Sequence, residues 1–273
     1  MATCYRHPSR ETGVSCSNCG RPICPECMTT TAVGMRCPEC SQQRTKVMRM
    51  RDMATVPRVT YTLIAINVIA FFTEQGQFTI SGAEIHGKVI EEGVLYRAGI
   101  SVGHQYWRLV TSAFLHENLL HIGFNMYLLY LLGRMLEPAI GSSRLTAIYV
   151  TSLFVGTIGA LFETAGASLG ASGAIFGLMG AAVVELRSRG ISVMQSGIGG
   201  LIIINLVLSV LVSNISLGDH IGGLVGGLLA GYAIRTADER KMPVLGFAAC
   251  VLLSVAAVFA AIAVANVSGE VIA

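Results

Sequence analysis

The chain has 273 residues, 53% hydrophobic and 13% charged, with 31 glycines and a formal net charge of +3. Soluble domains carry about 25% charged residues, so this composition excludes an ordinary soluble enzyme and a disordered chain; the small net charge gives no expectation of a nucleic-acid partner. The apolar residues run in continuous blocks of membrane-spanning length, which excludes an alternating β-barrel and predicts an all-α polytopic protein in the lipid bilayer.

Seven of the eight cysteines fall within the first 40 residues. With His7 they form four ligand pairs, each separated by two residues: Cys4 and His7, Cys16 and Cys19, Cys24 and Cys27, Cys37 and Cys40. A two-residue spacer lets a tight turn direct both side chains at one metal, and eight ligands suffice for two tetrahedral zinc ions. A disulfide framework would need an oxidising compartment. No signal peptide is expected, and Lys46, Arg49, Arg51 and Arg58 follow the head, so the N-terminus is predicted to stay in the cytosol with its thiols reduced. With every position filled by protein the sites read as structural, zinc replacing a core that so short a segment cannot build. The order of the pairs resembles a B-box-type zinc finger. By that resemblance Cys4, His7, Cys24 and Cys27 share one ion, and Cys16, Cys19, Cys37 and Cys40 the other; spacing alone permits other pairings. Residues 1–42 are the expected zinc-binding domain, suited to binding a cytosolic protein, 43–58 a basic linker, and 59–266 a membrane domain.

Seven apolar segments follow, over residues 59–72, 119–135, 145–162, 173–184, 198–212, 220–234 and 244–264. The fourth is short for about 30 Å of hydrocarbon. Cytosolic connections would hold Arg134, Arg144, Arg187, Arg189, Arg235, Arg240 and Lys241, against Lys88, Arg97 and Arg108 outside, which fits seven spans with the C-terminus outside. The long first outer connection, 76–106, is amphiphilic and predicts an interfacial structure.

Polar residues within spans are costly, and they gather in three places. At the entrance to the second span stands His116-Glu117-Asn118-Leu119-Leu120-His121-Ile122-Gly123-Phe124-Asn125. This is not the zinc-protease pattern: histidines five apart point about 140° away from each other on a helix. His121 and Asn125 share a face. The second place is Gly170-Ala171-Ser172-Gly173, where a hydroxyl stands between glycines, and the third is Asp219-His220-Ile221-Gly222-Gly223. Gly173, Gly177 and Ala181 on one span, and Gly223, Gly227 and Gly231 on another, form small-residue faces that allow close helix approach. Ser172 and His220 then stand at the same end of the two faces, as a weak nucleophile and the base able to activate it.

Over residues 59–264 the chain resembles the rhomboid intramembrane serine proteases. The marks are Trp107-Arg108, the histidines and asparagine at 116, 121 and 125, Gly170-Ala171-Ser172-Gly173, and His220 followed by Gly223 and Gly227. The resemblance implies a six-helix core, here with a C-terminal seventh helix, that cleaves transmembrane proteins near the outer face without a catalytic cofactor. It makes Ser172 the nucleophile and His220 the general base. His116 and Asn125, with the Ser172 backbone N–H, would form the oxyanion hole, and His121 would position its neighbours. Phe176 stands where many members carry a tyrosine stacked on the catalytic histidine, so the ring is kept and the hydroxyl is lost. Asp219 is left out of the catalytic set, because adjacent helix residues do not face each other. An ion pathway through Glu163, Asp219 and His220 would leave the serine element without purpose. A rhomboid-like chaperone that binds membrane helices without cleaving them is the alternative, although such proteins typically lack Ser or His at the dyad positions.

Overall fold

A computed structural model describes residues 2–31, 34–42, 56–73, 87–163, 166–212 and 215–267. Two compact units divide the chain, Met1–Ala54 and Thr55–Ala273. The division falls inside the expected linker, of which residues 43–55 lie outside the described residues, as do residues 76–86 of the expected interfacial connection and the C-terminal residues 268–273.

The head is made of two minimal antiparallel pairs and one turn of helix. Strand β1 (Ala2–Thr3) pairs with β2 (Glu11–Thr12), and β3 (Thr29–Thr31) with β4 (Gly34–Arg36). Helix α1 (Pro38–Ser41) starts on a proline, whose fixed φ and missing N–H suit a first helical turn. The buried interior consists of Ile23 and six cysteines, with Tyr5, Met28 and Met35 partly buried around them. So small an apolar core cannot carry the ordering entropy of some 40 residues, and the cysteines must contribute more than their packing.

In the body, α2 (Arg58–Thr73) is followed by three short helices, α3 (Lys88–Gly93), α4 (Arg97–Ser101) and α5 (Arg108–Thr111), and a 3-10 turn. Six longer helices complete it: α6 (Leu119–Ile140), α7 (Ser142–Phe162), α8 (Ser172–Ser188), α9 (Ile198–Leu211), α10 (Leu217–Glu239) and α11 (Pro243–Val267). Every predicted apolar segment is helical. Helices α6, α7, α10 and α11 are long and apolar enough to cross a membrane, while α2 and α9 are shorter apolar helices. Helix α8 has only 17 residues, and its stretch from Gly173 to Ala182 is buried throughout.

Glycine permits that arrangement. A Cβ at Gly223 would run into the Gly173 carbonyl, one at Gly227 into the Gly177 carbonyl, and one at Gly231 would lie 3.2 Å from the Ala181 Cα. The two small-residue faces read from the sequence therefore meet rung by rung. Helix α10 carries a second such face. Gly218 abuts the Gly159 carbonyl, Gly222 the Val155 carbonyl, and Gly226 the Val155 side chain, all on α7. With backbones this close on both sides, α10 is held between α7 and α8 by dispersion contacts and by the absence of side chains.

Two carboxylates, buried Glu137 and half-buried Glu163, cap neighbouring helices. Glu137 on α6 accepts the Val59 and Thr60 N–H groups, each at 2.9 Å, and the hydroxyls of Thr60 and Ser142. Glu163, at the end of α7, accepts the Ser216 hydroxyl at 2.6 Å and the Gly218 N–H at 2.5 Å. Each supplies acceptors to the unpaired donors of a helix N-terminus. Glu163 thereby has a structural account that needs no ion pathway.

Between α2 and α6 the described part of the long connection folds around Arg108, which is only 3% exposed. Its guanidinium donates to the carbonyls of Glu91 and Val94 at 2.8 and 2.7 Å and to the Gln105 side chain at 2.6 Å, and it lies over the Tyr96 ring. Trp107 donates its indole N–H to the Glu92 carbonyl. The Trp107-Arg108 pair thus holds the connection together. An isolated bridge between Leu95 and Ser168 ties it to the segment leading into α8.

Candidate active site

Helix α8 begins at Ser172 because the chain before it turns through Gly170, at φ +124°, a conformation that strains any other residue. The Gly170 N–H donates to the Ser112 carbonyl at 2.8 Å, and a Cβ there would lie 2.8 Å from the His121 Nε2. Glycine is required twice over, once for the turn and once for the imidazole packed against it. Ser172 occupies the first helical position, where backbone N–H groups lack intrahelical partners and the helix dipole is positive.

The Ser172 hydroxyl donates to Asp219 Oδ2 at 3.2 Å, and Asp219 also takes up the Gly173 N–H. Gly173 has no room for a Cβ because this carboxylate fills the space. Asp219 is therefore the cap of α8, reaching across from α10. His220, next in the chain, points elsewhere. It is 6% exposed, its Nδ1 lies 2.6 Å from the Ser209 Oγ of α9, and its ring stacks on Phe176 with centroids 4.1 Å apart and planes 21° from parallel.

Ser172, His220, Phe176, His121, Asn125 and Asn205 all line one cavity of about 430 Å³. Its remaining wall includes Leu120, Phe124, Leu128, Ile175, Leu208 and Val212, an apolar enclosure with a few convergent polar groups. Among the described residues no hydrogen bond joins Ser172 to His220; the serine proton is directed at Asp219 instead. His116 does not line the cavity. It is fully buried behind His121, the two rings edge to face at 5.0 Å. His121 thus stands beside Asn125 at the cavity wall, with His116 packed behind it. Spacing alone could not rank them, because it fixes only the angle between two side chains and not which one faces the serine.

A Rhomboid domain model matches residues 103–237, which include every one of these groups. YdcA, a rhomboid relative from Bacillus subtilis (strain 168), is 32% identical over 151 residues, covering 54% of this chain and 75% of its own length. The chain belongs to the rhomboid family. Rhomboid protease GluP of the same strain is 36% identical over 182 residues, 65% of this chain and 35% of GluP. Rhomboid protease GlpG of Yersinia pestis (strain Pestoides F) is 35% identical over 136 residues, 47% of this chain and 48% of GlpG. The chain spans 35% of GluP and 45% of RHOMBOID-like protein 6 of Arabidopsis thaliana, so it shares only part of the length of these relatives. Family and apolar helices together make it an integral membrane protein.

The head carries two further clusters outside the rhomboid match. Cys4, His7, Cys24 and Cys27 bring their ligand atoms within 4.8 Å of one another, and so do Cys16, Cys19, Cys37 and Cys40. Zinc–sulfur bonds of about 2.3 Å in a tetrahedron put sulfurs about 3.8 Å apart, and nitrogen to sulfur slightly less. The Cys19 and Cys37 sulfurs lie 3.8 Å apart, and His7 Nδ1 lies 3.9, 3.4 and 3.3 Å from the sulfurs of Cys4, Cys24 and Cys27. All eight cysteines are free of disulfides. The Cys37 N–H, 3.3 Å from the Cys16 sulfur, donates to it, a contact that favours the thiolate that a metal requires. Both donor sets fit zinc.

Proposed function

We propose that this chain is an intramembrane serine endopeptidase that cleaves transmembrane protein substrates through a dyad of Ser172 and His220. The observation that carries the reading is the convergence of Ser172, His220, His121 and Asn125 on one apolar cavity, in a family whose curated members include proteins named rhomboid proteases. The Ser172 Oγ attacks the scissile carbonyl carbon while His220 Nε2 takes the hydroxyl proton. The oxyanion is stabilised by the Ser172 backbone N–H and by donors from Asn125 and His121, replacing the expected His116. The imidazolium then gives its proton to the leaving amine as the carbon–nitrogen bond breaks, and a water activated by the same imidazole releases the acyl group from the serine. For the first step the hydroxyl must leave Asp219 and turn to His220.

That Ser172–Asp219 contact is also the one observation in favour of the second reading, a non-proteolytic rhomboid-like chaperone or adaptor that binds membrane helices. Labelling the detergent-solubilised protein with a fluorophosphonate separates the two: the enzyme labels at Ser172, and Ser172→Ala abolishes the label. Absence of labelling in folded wild-type protein would favour the chaperone.

The seven helices are read as a six-helix rhomboid core followed by α11, with the N-terminus in the cytosol, the C-terminus outside and cleavage near the outer face. The distribution of Lys and Arg supports this orientation. In the head, a B-box-like domain, the two four-residue clusters would each hold one structural zinc ion, whose binding supplies folding free energy that the small core lacks. A cytosolic protein is its expected ligand. The dyad itself works through side chains alone.

A further inference from the structure

We propose that Ser209 is a positioning residue for His220, fixing the imidazole as the Nδ1–H tautomer and leaving the Nε2 lone pair to receive the Ser172 proton. This rests on the serine-protease reading of the cavity. A serine at position 209 in an apolar helix would ordinarily be dismissed, since such hydroxyls bond back to the carbonyl one turn earlier. Ser209 does this, donating to the Asn205 carbonyl at 2.7 Å. The same oxygen lies 2.6 Å from His220 Nδ1.

The two contacts together decide the proton positions. A carbonyl can only accept, so the single hydroxyl hydrogen must lie between Ser209 Oγ and the Asn205 oxygen. Were that hydrogen turned toward the imidazole, two acceptor oxygens would face each other at 2.7 Å with nothing between them. The hydroxyl therefore has only a lone pair to offer His220, and Nδ1 must carry the hydrogen. Neutral imidazole has one N–H, which leaves Nε2 unprotonated. Ser209 is 5% exposed and His220 6%, so water does not offer an easy substitute for either partner. Phe176, stacked on the ring, restricts the rotation that would exchange the nitrogens.

This is the function that a carboxylate serves in a catalytic triad, done by a neutral acceptor. Neutrality suits the place, because a carboxylate buried beside an apolar cavity would have to be desolvated. The neighbouring carboxylate, Asp219, is occupied with Ser172 and the Gly173 N–H. When the imidazolium forms, both nitrogens donate, and the Ser209 contact persists without rearrangement. Because Ser209 sits on α9 and His220 on α10, the base is correctly set only while these two helices keep their register.

The test uses full-length protein in detergent with nitrogen-15 histidine, resonances of residue 220 being identified with His220→Ala. Long-range proton–nitrogen correlations should show the Nδ1–H tautomer in wild type, a mixture in Ser209→Val, and the wild-type tautomer in Ser209→Thr, which has the shape of valine and restores the hydroxyl. Ser209→Val should lower kcat about tenfold, the worth of one buried hydrogen bond, with KM nearly unchanged and with Ser209→Thr close to wild type. A wild-type His220 protonated at Nε2 would overturn the proposal, as would Val and Thr variants that match in tautomer and in kcat. Turnover that survives Ser172→Ala would instead defeat the protease reading, while the tautomer spectrum would still decide the role of Ser209.

Discussion

Phe176 lies flat on the His220 imidazole, with ring centroids 4.1 Å apart and planes 21° from parallel. The stack forms without the hydroxyl that a tyrosine would bring, so the contact that holds the imidazole plane comes from the ring face. Phe176→Tyr should therefore keep kcat within about twofold, while Phe176→Leu, which fills the space but cannot stack, should lower kcat by about two- to tenfold, the range of an aromatic pair. Turnover of a model transmembrane substrate in detergent, with melting temperature as the folding control, measures both. A Leu variant as active as wild type would remove the stack from the mechanism.

His121 and His116 offer a sharper contrast. His121 lines the cavity beside Asn125, and His116 is buried behind it. Replacing an oxyanion donor costs about 10²–10³ in kcat. His121→Ala and Asn125→Ala should show that loss with little change in KM. His116→Ala should mainly lower the melting temperature, because it removes a fully buried ring packed against His121, away from the cavity wall. If His116→Ala lost kcat with full stability while His121→Ala did not, the assignment would revert to the order expected from sequence.

The helical fold was legible in the sequence because lipid allows few alternatives: continuous apolar blocks must be helices, and each was. The serine and histidine were legible because hydroxyl and imidazole rarely share the ends of two glycine faces. What escaped was anything that depends on direction across three helices. Adjacency in sequence keeps Asp219 from facing His220, but it does not show that the carboxylate reaches Ser172 on another helix. Ser209 looks like any serine in an apolar helix, and only the structure brings its oxygen within 2.6 Å of Nδ1. The second glycine face, Gly218, Gly222 and Gly226, was readable at the same four-residue spacing.

That packing makes a stability prediction with its own control. At Gly227 a Cβ would collide with the Gly177 carbonyl, which belongs to a helix backbone and cannot swing aside. Gly227→Ala should destabilise the body by about 1–3 kcal/mol, the usual cost of overpacking. Gly200, on α9, has nothing within 4 Å of an added Cβ. Gly200→Ala should be neutral or stabilising by up to about 1 kcal/mol, as expected where only backbone entropy changes. Thermal unfolding of the two variants in the same detergent would compare them directly, and equal melting temperatures would refute the close packing of α10 on α8.

Metal should govern the head and leave the chemistry of the body untouched. The eight ligands all lie within residues 4–40, the two clusters have the atomic spacing of tetrahedral zinc, and the cavity residues begin at Glu117. Purified protein should contain two zinc ions per chain by elemental analysis, and Cys24→Ser should lose one of them. Since zinc binding in such domains is folding free energy, on the order of 10–16 kcal/mol per ion in finger peptides, a strong chelator should unfold the head. Substrate cleavage in detergent should continue, both in the chelated protein and in a variant lacking residues 1–47. In cells that variant can still lose abundance or substrate choice through loss of a cytosolic partner, which is why the measurement belongs in detergent. If removing residues 1–47 stopped cleavage there while the melting transition of the body was unchanged, the head would be part of the catalytic mechanism and the separation of roles would be wrong.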